Sequence, residues 1–355
     1  MTLQKTAEIQ GEKTYPKQLG LFELKIGNER FYSNTIAFWD MIPKFYYGKM
    51  NRSLQDEGKK TESYSLPMLE REVYYKLDDT KYHITITPAI IKKKDKKDGK
   101  IKPMAFYPST REELIEDVLR KFLAEGKGCF YNNNASILFS LRDIQQELKK
   151  SKHTYSLTEI KEALEILNKT HIEAKSERGR GAEMECSGNM LIFLAIATKG
   201  NAQGNTRCIA QFNPFVTKSI QEMTFRKYDF SRCIGYQVPL ARYIHKRISH
   251  QYKQLSKEQP YIIKQSTLLN DSGYNFDKEL RKCRIQVESA LEELKTAGTI
   301  VSYVFEEIIE KKNVRKTAID YKIFIIPSEG FISDIISANT KEKHNKLSME
   351  WQERK

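Results

Sequence analysis

The spacing of apolar and polar positions divides the chain into two similar runs of elements. Alternation through Tyr82-His83-Ile84-Thr85-Ile86-Thr87, then Ile90-Ile91, a charged loop and Met104-Ala105-Phe106-Tyr107 predicts a β-hairpin. Its loop carries Lys92, Lys93, Lys94, Lys96, Lys97 and Lys100 around the turn-forming pair Asp98-Gly99. This tip is either solvated or a finger touching phosphate. Pro108-Ser109-Thr110 ahead of Arg111-Glu112-Glu113 reads as a helix start, with a hydroxyl cap and early acids favoured by the helix dipole. Leu114, Ile115, Val118, Leu119 and Phe122 carry that helix on to Gly126. A strand at Ile137-Leu138-Phe139-Ser140-Leu141 follows, then a helix from Arg142 to Lys150. The capping box Ser156-Leu157-Thr158-Glu159 opens a third helix with Leu157, Ile160, Ala163, Leu164 and Leu167 on its apolar face. Strands around Ile172, Met184 and Met190 to Ala197 close the run.

The same order returns downstream. Pro239 to Tyr252 reads as a helix that begins with proline, whose missing N–H costs nothing in a first turn. Tyr261-Ile262-Ile263 is a strand and Ser266 to Asn270 a short helix. A long helix from about Asp277 to Ala297 aligns Leu280, Cys283, Val287, Ala290, Leu291 and Leu294, and stops at Gly298. Two strands, Ile300 to Ile309 and Ala318 to Ile326, flank a polar turn. Helix, strand, helix, helix, hairpin is the winged-helix order. Ala163-Leu164-Glu165-Ile166-Leu167 can be laid over Ala290-Leu291-Glu292-Glu293-Leu294, which points to an internal duplication. The expected class is therefore α+β: two tandem winged-helix (helix-turn-helix) domains with an added N-terminal β-hairpin and flexible tails. The expected divisions are a polar arm over 1–62, a first domain over 63–230, a second over 231–330 and a polar tail over 331–355.

Composition narrows the function. Sixty Lys+Arg against 46 Asp+Glu give a formal charge of +14, which makes a polyanion the expected partner because neutralised phosphates release counterions. Cys129, Cys186, Cys208, Cys233 and Cys283 lie far apart with no CxxC pair, which argues against a zinc ribbon or a disulfide framework and fits a reducing cytoplasm. The longest apolar run, Met190 to Ala197, is far short of a bilayer span, so no membrane role is expected.

In a helix-turn-helix unit the third helix enters the major groove, and only side chains opposite its core stripe reach base edges. In the second copy these include Arg281 and Arg284, flanked by Lys282, Gln286 and Ser289. Arg suits guanine because its fork pairs bidentately. The alternative for such a charged face is simple solvation. The third helix of the first copy instead offers Glu159, Lys161, Glu162 and Glu165, a face that phosphate would repel and that suits a protein interface. Backbone contacts are expected from Lys175, Arg178 and Arg180 in the first copy. In the second they are expected from the wing residues Lys311, Lys312, Arg315 and Lys316. Arg242, Lys246 and Arg247, with His245 and His250, form a further basic cluster that either clamps phosphate or is solvated.

Three blocks carry a family resemblance. They are Phe106-Tyr107-Pro108-Ser109 leading into Arg111 to Lys121, then Gln211-Phe212-Asn213-Pro214-Phe215-Val216-Thr217-Lys218-Ser219-Ile220, then Pro239 to His250. They resemble the RepA-type replication initiators of proteobacterial plasmids over roughly residues 65 to 330. The resemblance implies a protein that binds repeated sites in double-stranded origin DNA, melts nearby DNA and recruits the host helicase machinery and initiator. It also suggests a homodimer-to-monomer switch. Gln18-Leu19-Gly20-Leu21-Phe22 is similar to the short peptide by which bacterial proteins dock on the DNA polymerase sliding clamp. Leu21 and Phe22, with Leu19, would fill an apolar groove and Gln18 would supply a polar anchor; the alternative is a scrap that packs on its own domain.

No enzyme is expected. A rolling-circle nickase needs a His-x-His metal pair, and none of the six histidines is so spaced. GxxxxGK[ST] is absent, so no nucleotide cofactor or metal is expected. A winged-helix transcriptional repressor is the main alternative.

Overall fold

A computed structural model describes residues 32–47, 69–75, 80–94, 99–177, 184–197, 207–222, 224–252, 254, 259–273, 279–309 and 318–353. They form an α+β protein of several small sheets and fall into two compact units, one over 43–218 and the other combining 32–42 with 219–353. Among the described residues no helix is long and apolar enough to cross a membrane.

The first described elements, β1 (Tyr32–Ile36) and α1 (Ala37–Met41), belong to the second unit. The first unit continues with β2 (Leu69–Tyr75), β3 (Thr80–Thr87), β4 (Ala89–Lys94) and β5 (Ile101–Phe106). Then come α2 (Thr110–Phe122), β6 (Gly128–Tyr131), β7 (Asn134–Ser140), α3 (Leu141–Lys150) and α4 (Leu157–Lys169). The strands β8 (His171–Glu177), β9 (Met184–Asn189), β10 (Leu191–Ile196) and β11 (Arg207–Phe212) lead to α5 (Pro214–Gln221).

Helices α2, α3 and α4 lie where the periodicity places them, each opened by a capping box: Ser109 with Glu112, Ser140 with Asp143 and Ser156 with Glu159. The strands pair differently from expectation. The segment 82–107 is not one hairpin, because β3 ends at Thr87 and Pro88 supplies no N–H to continue a ladder. Only β4 and β5 form a ribbon, while β3 joins a sheet ordered β2-β3-β8-β9, with Ile84 opposite Ala174 and Ile86 opposite Ile172. The strand β7 pairs with β11 and β6 in a second sheet, β10-β11-β7-β6. Residues 111–122 of α2 are all buried, and each of its cations meets a carboxylate: Arg120 with Asp117 at 2.7 Å, Lys121 with Glu147 at 2.9 Å, Arg111 with Glu162 at 3.1 Å.

The second unit continues with β12 (Phe225–Asp229), α6 (Phe230–Gly235), α7 (Pro239–Gln251), β13 (Tyr261–Lys264), α8 (Gln265–Ser272) and α9 (Leu280–Thr296). It closes with β14 (Ile300–Ile309), β15 (Ala318–Pro327) and α10 (Glu329–Glu353). The three strands β13, β14 and β15 form one antiparallel sheet in the order β13-β15-β14. Gly298, at φ +71°, ends α9 in the left-handed conformation that glycine adopts without strain.

Both polar ends are more structured than their composition suggests. Within the expected arm, β1 pairs with β12, and Ile36, Trp39 and Met41 are buried. The expected tail holds α10, whose Phe331, Ile335 and Ala338 are buried. Arg226 ties this helix to β12: it donates to the Ser249 carbonyl at 2.6 Å, to Glu342 at 2.7 Å and to Asn339. Tyr32 on β1 donates to Asp334 at 2.8 Å.

Candidate nucleic-acid interface

The helix α9 buries Cys283, Val287, Ala290, Leu291 and Leu294 against its own unit. The side of the helix opposite that stripe therefore faces outward. Arg281, Ile285, Ser289 and Glu292 lie exposed at spacings of four, four and three, with Lys282 beside them. Lys282 pairs with Glu279 at 3.0 Å in the open, a contact easily exchanged for another anion. Ile285 is 58% exposed, an apolar side chain in the middle of a polar face. An aliphatic group there matches the thymine methyl, as an arginine matches guanine.

Of the four side chains expected to read bases, Arg281 and Lys282 lie on this face and two do not. The Arg284 guanidinium stacks 4.8 Å from the Phe305 ring centroid and 5.0 Å from that of Tyr321, and its Nε donates to Glu288 at 2.8 Å. The bond to Glu288 is the main factor raising its pKa, so it holds a fixed charge that braces α9 on the hairpin. Beside it, Tyr303 donates to Glu292 at 2.7 Å; partial burial and then that carboxylate push its pKa up to about 12. Gln286 is half-buried, and its side-chain carbonyl is shielded from solvent with no hydrogen-bond partner. That oxygen is turned inward. Ile285 was legible as an apolar residue off the core stripe, but a reading for hydrogen-bonding chemistry passes over it.

The basic cluster on α7 is not a phosphate clamp, because its cations are buried. Residues 240–250 all lie inside, packed by α1, α6, α9, β1 and β12. Arg242 is fully buried and donates to the Tyr236 carbonyl at 2.7 Å, and Lys246 is buried too. Arg247 meets Asp271 at 2.8 Å and donates to the hydroxyls of Tyr261 and Tyr243, each at 2.8 Å. His245 sits among Tyr228, Tyr236 and Phe331, and burial pulls its pKa down to about 3, so it is neutral at pH 7. Glu293 of α9 accepts from the backbone N–H groups of Gln237 and Val238 at 2.6 and 2.9 Å. A carboxylate thus satisfies two donors at the start of α7.

In the first unit Lys175 is exposed on β8. The carboxylates of α4 are largely compensated. Glu159 closes the capping box, Glu165 pairs with Lys169 at 2.6 Å, and Glu162 receives both Lys93 at 2.6 Å and Arg111 at 3.1 Å. The face repels phosphate less than its sequence implies. Arg178, Arg180, Lys311, Lys312, Arg315, Lys316 and the segment Gln18 to Phe22, with Leu19 and Leu21, lie outside the described residues.

No family model and no curated protein matches the chain. Among solved structures, a selenomethionine form of domains 2 and 3 of RctB aligns with a TM-score of 0.46 and 10% identity, over 78% of this chain and 96% of that one. A second structure of the same two domains aligns with a TM-score of 0.41 and 11% identity, over 76% and 94%. Likenesses this remote assign neither a fold nor a function.

Proposed function

We propose that the chain is a sequence-specific, non-catalytic binder of double-stranded DNA whose second unit is a winged helix with α9 as its reading helix. More narrowly, we propose a replication initiator of the plasmid type, acting in the cytoplasm on repeated origin sites. The first unit is then a second winged-helix unit whose strands have been drawn into larger sheets. The observation that carries the reading is the outward face of α9, where Arg281, Lys282, Ile285 and Ser289 stand opposite a fully buried stripe. The formal charge of +14 supplies the attraction to a polyanion. Initiation itself, recruitment of the helicase and the clamp, and a switch from dimer to monomer rest on the resemblance of the three sequence blocks.

Selection of duplexes from a random pool by the wild-type chain tests the first step. Arg281→Ala is expected to cost about 1–3 kcal/mol of specific binding and to relax preference at one base pair. Ile285→Ala is expected to relax preference at a thymine. Arg284→Ala is expected to weaken binding without changing the selected sequence. Unchanged affinity and selectivity in both Arg281→Ala and Ile285→Ala would sink the reading. Permanganate footprinting separates an initiator, which opens an adjacent AT-rich segment, from a repressor, which only protects its site.

A further inference from the structure

The ribbon formed by β4 and β5 has two dissimilar faces. Its inner face holds Ala89, Ile91 and Phe106, buried in one cluster with Ile166 of α4, with Met104 packed on them. Lys93 continues that face by reaching Glu162 at 2.6 Å and lying 5.3 Å over the Phe106 ring. The base of the ribbon is thereby fixed to α4. The outer face is built by the pairs Ile90 with Ala105, Lys92 with Pro103 and Lys94 with Ile101. Lys92, Lys94 and Pro103 are exposed there. Ile101 is 72% exposed, more than any other large apolar side chain among the described residues.

A single exposed isoleucine needs no explanation. Two rigid apolar groups, Ile101 and Pro103, placed cross-strand from two lysines on one face of an anchored two-stranded ribbon are a different matter. Lysines at that spacing complement phosphate, and proteins that contact DNA through β-strands use either the major or the minor groove. Ile and Pro are side chains that wedge between base pairs when a protein bends DNA from the minor groove. An acidic protein surface would match the lysines but would leave the two apolar groups against charge.

We propose that the β4–β5 ribbon is a second DNA-contacting element: it enters the minor groove of the bound duplex, sets Lys92 and Lys94 on phosphates and inserts Ile101 at a base step, partly unstacking it. This rests on the DNA-binding reading above and adds to it a means of deforming the site. A flexible pyrimidine–purine step, the cheapest to unstack, is the expected target.

The test uses the full chain and a duplex it has selected, with 2-aminopurine placed in turn at each adenine. Wild-type protein at saturation is expected to raise the fluorescence of one position several-fold. Ile101→Ala should cut that rise at least five-fold with the selected sequence unchanged, and Ile101→Met should keep it. Lys92→Ala with Lys94→Ala should lower the slope of log affinity against log salt by about two, roughly one per phosphate released. An equal rise with Ile101→Ala, no responding position with wild type, or an unchanged salt slope would each overturn the arm. In the last case the surface would belong to an acidic protein partner. Any of these leaves the reading of α9 standing, whereas failure to select any duplex removes both.

Discussion

The third helices of the two units, α4 and α9, keep the same core and differ in what lies on their flanks. Ala163, Leu164 and Leu167 are buried in one, as Ala290, Leu291 and Leu294 are in the other. The position just before the last leucine is Ile166 in α4 and Glu293 in α9. Ile166 is buried because the β4–β5 ribbon covers that flank. Glu293 faces the start of α7 and caps it. The outward faces diverge in the same way: α4 spends Glu162 on the ribbon and on α2, while α9 leaves Arg281, Ile285 and Ser289 uncovered. The ribbon packs on one helix, and the other keeps an exposed face. The quintets 163–167 and 290–294 differ only at this position.

Exchanging the two residues should break the comparison most sharply. Ile166→Glu places a carboxylate without a partner among Ala89, Ile91 and Phe106, and is expected to cost about 4–5 kcal/mol in urea unfolding, the range reserved for buried unpaired charge. It should also release the ribbon from α4. A loss under about 1 kcal/mol would mean that the ribbon is not held through Ile166.

The contrast between a buried and an open basic surface in the second unit is tested by Asp271→Ala. It strips Arg247 of its counter-charge inside α7. The expected cost is about 3 kcal/mol, the low end for breaking a buried pair, because the Tyr243 and Tyr261 hydroxyls still accept from the guanidinium. DNA affinity of the folded protein should hold. If instead affinity rises while stability is unchanged, Arg247 was available to phosphate after all.

These cases show where sequence reading runs out. From Pro239 to Ile326 each element was legible, since its boundaries were marked locally by Pro239, Gly298 or a run of alternating residues. The burial of Arg242 and Arg247 was not, because what satisfies them is the Tyr236 carbonyl in one case and Tyr261 and Asp271, 14 and 24 positions on, in the other. Polar Ser33, Asn34 and Thr35 read as arm, yet pairing of β1 with β12 takes them inside. For α10 the signal was present: Phe331, Ile335 and Ala338 recur at helical spacing, but a charged context hid a narrow apolar stripe. Of the outward face of α9, Arg281 and Lys282 were legible from the stripe opposite them, whereas Arg284 was misplaced because its partners Phe305 and Tyr321 come from the following hairpin.

The reverse exchange, Glu293→Ile, tests the other half of the quintet at smaller scale. It removes the acceptor for two N–H groups at the start of α7 and should cost about 1–2 kcal/mol, the range of a strong helix cap. Glu293→Gln should recover part of this, since an amide oxygen still accepts. Thermal denaturation of the two variants side by side would show whether the carboxylate acts as a cap; equal losses would mean that it does not.

The smallest effect expected separates support from readout through pH. Burial pulls Glu162 toward protonation, but hydrogen bonds from Lys93 and Arg111 outweigh it and hold the carboxyl below its ordinary value of 4.5. A carboxyl whose pKa is lower in the folded than in the unfolded chain stabilises the fold fully above the unfolded value, and that contribution disappears as pH falls through the folded one. The loss should therefore begin just below pH 4.5 and be complete once Glu162 is protonated in the native state. Because the site is partly solvated, screening limits it to less than about 1 kcal/mol. Glu162→Gln should lower stability by that amount at neutral pH and flatten the corresponding part of the acid limb. Specific DNA affinity at neutral pH should change less than two-fold if α4 only supports the ribbon. A large gain in affinity on removing this one charge would instead place the outward face of α4 against phosphate, and the two third helices would then differ in degree and not in kind.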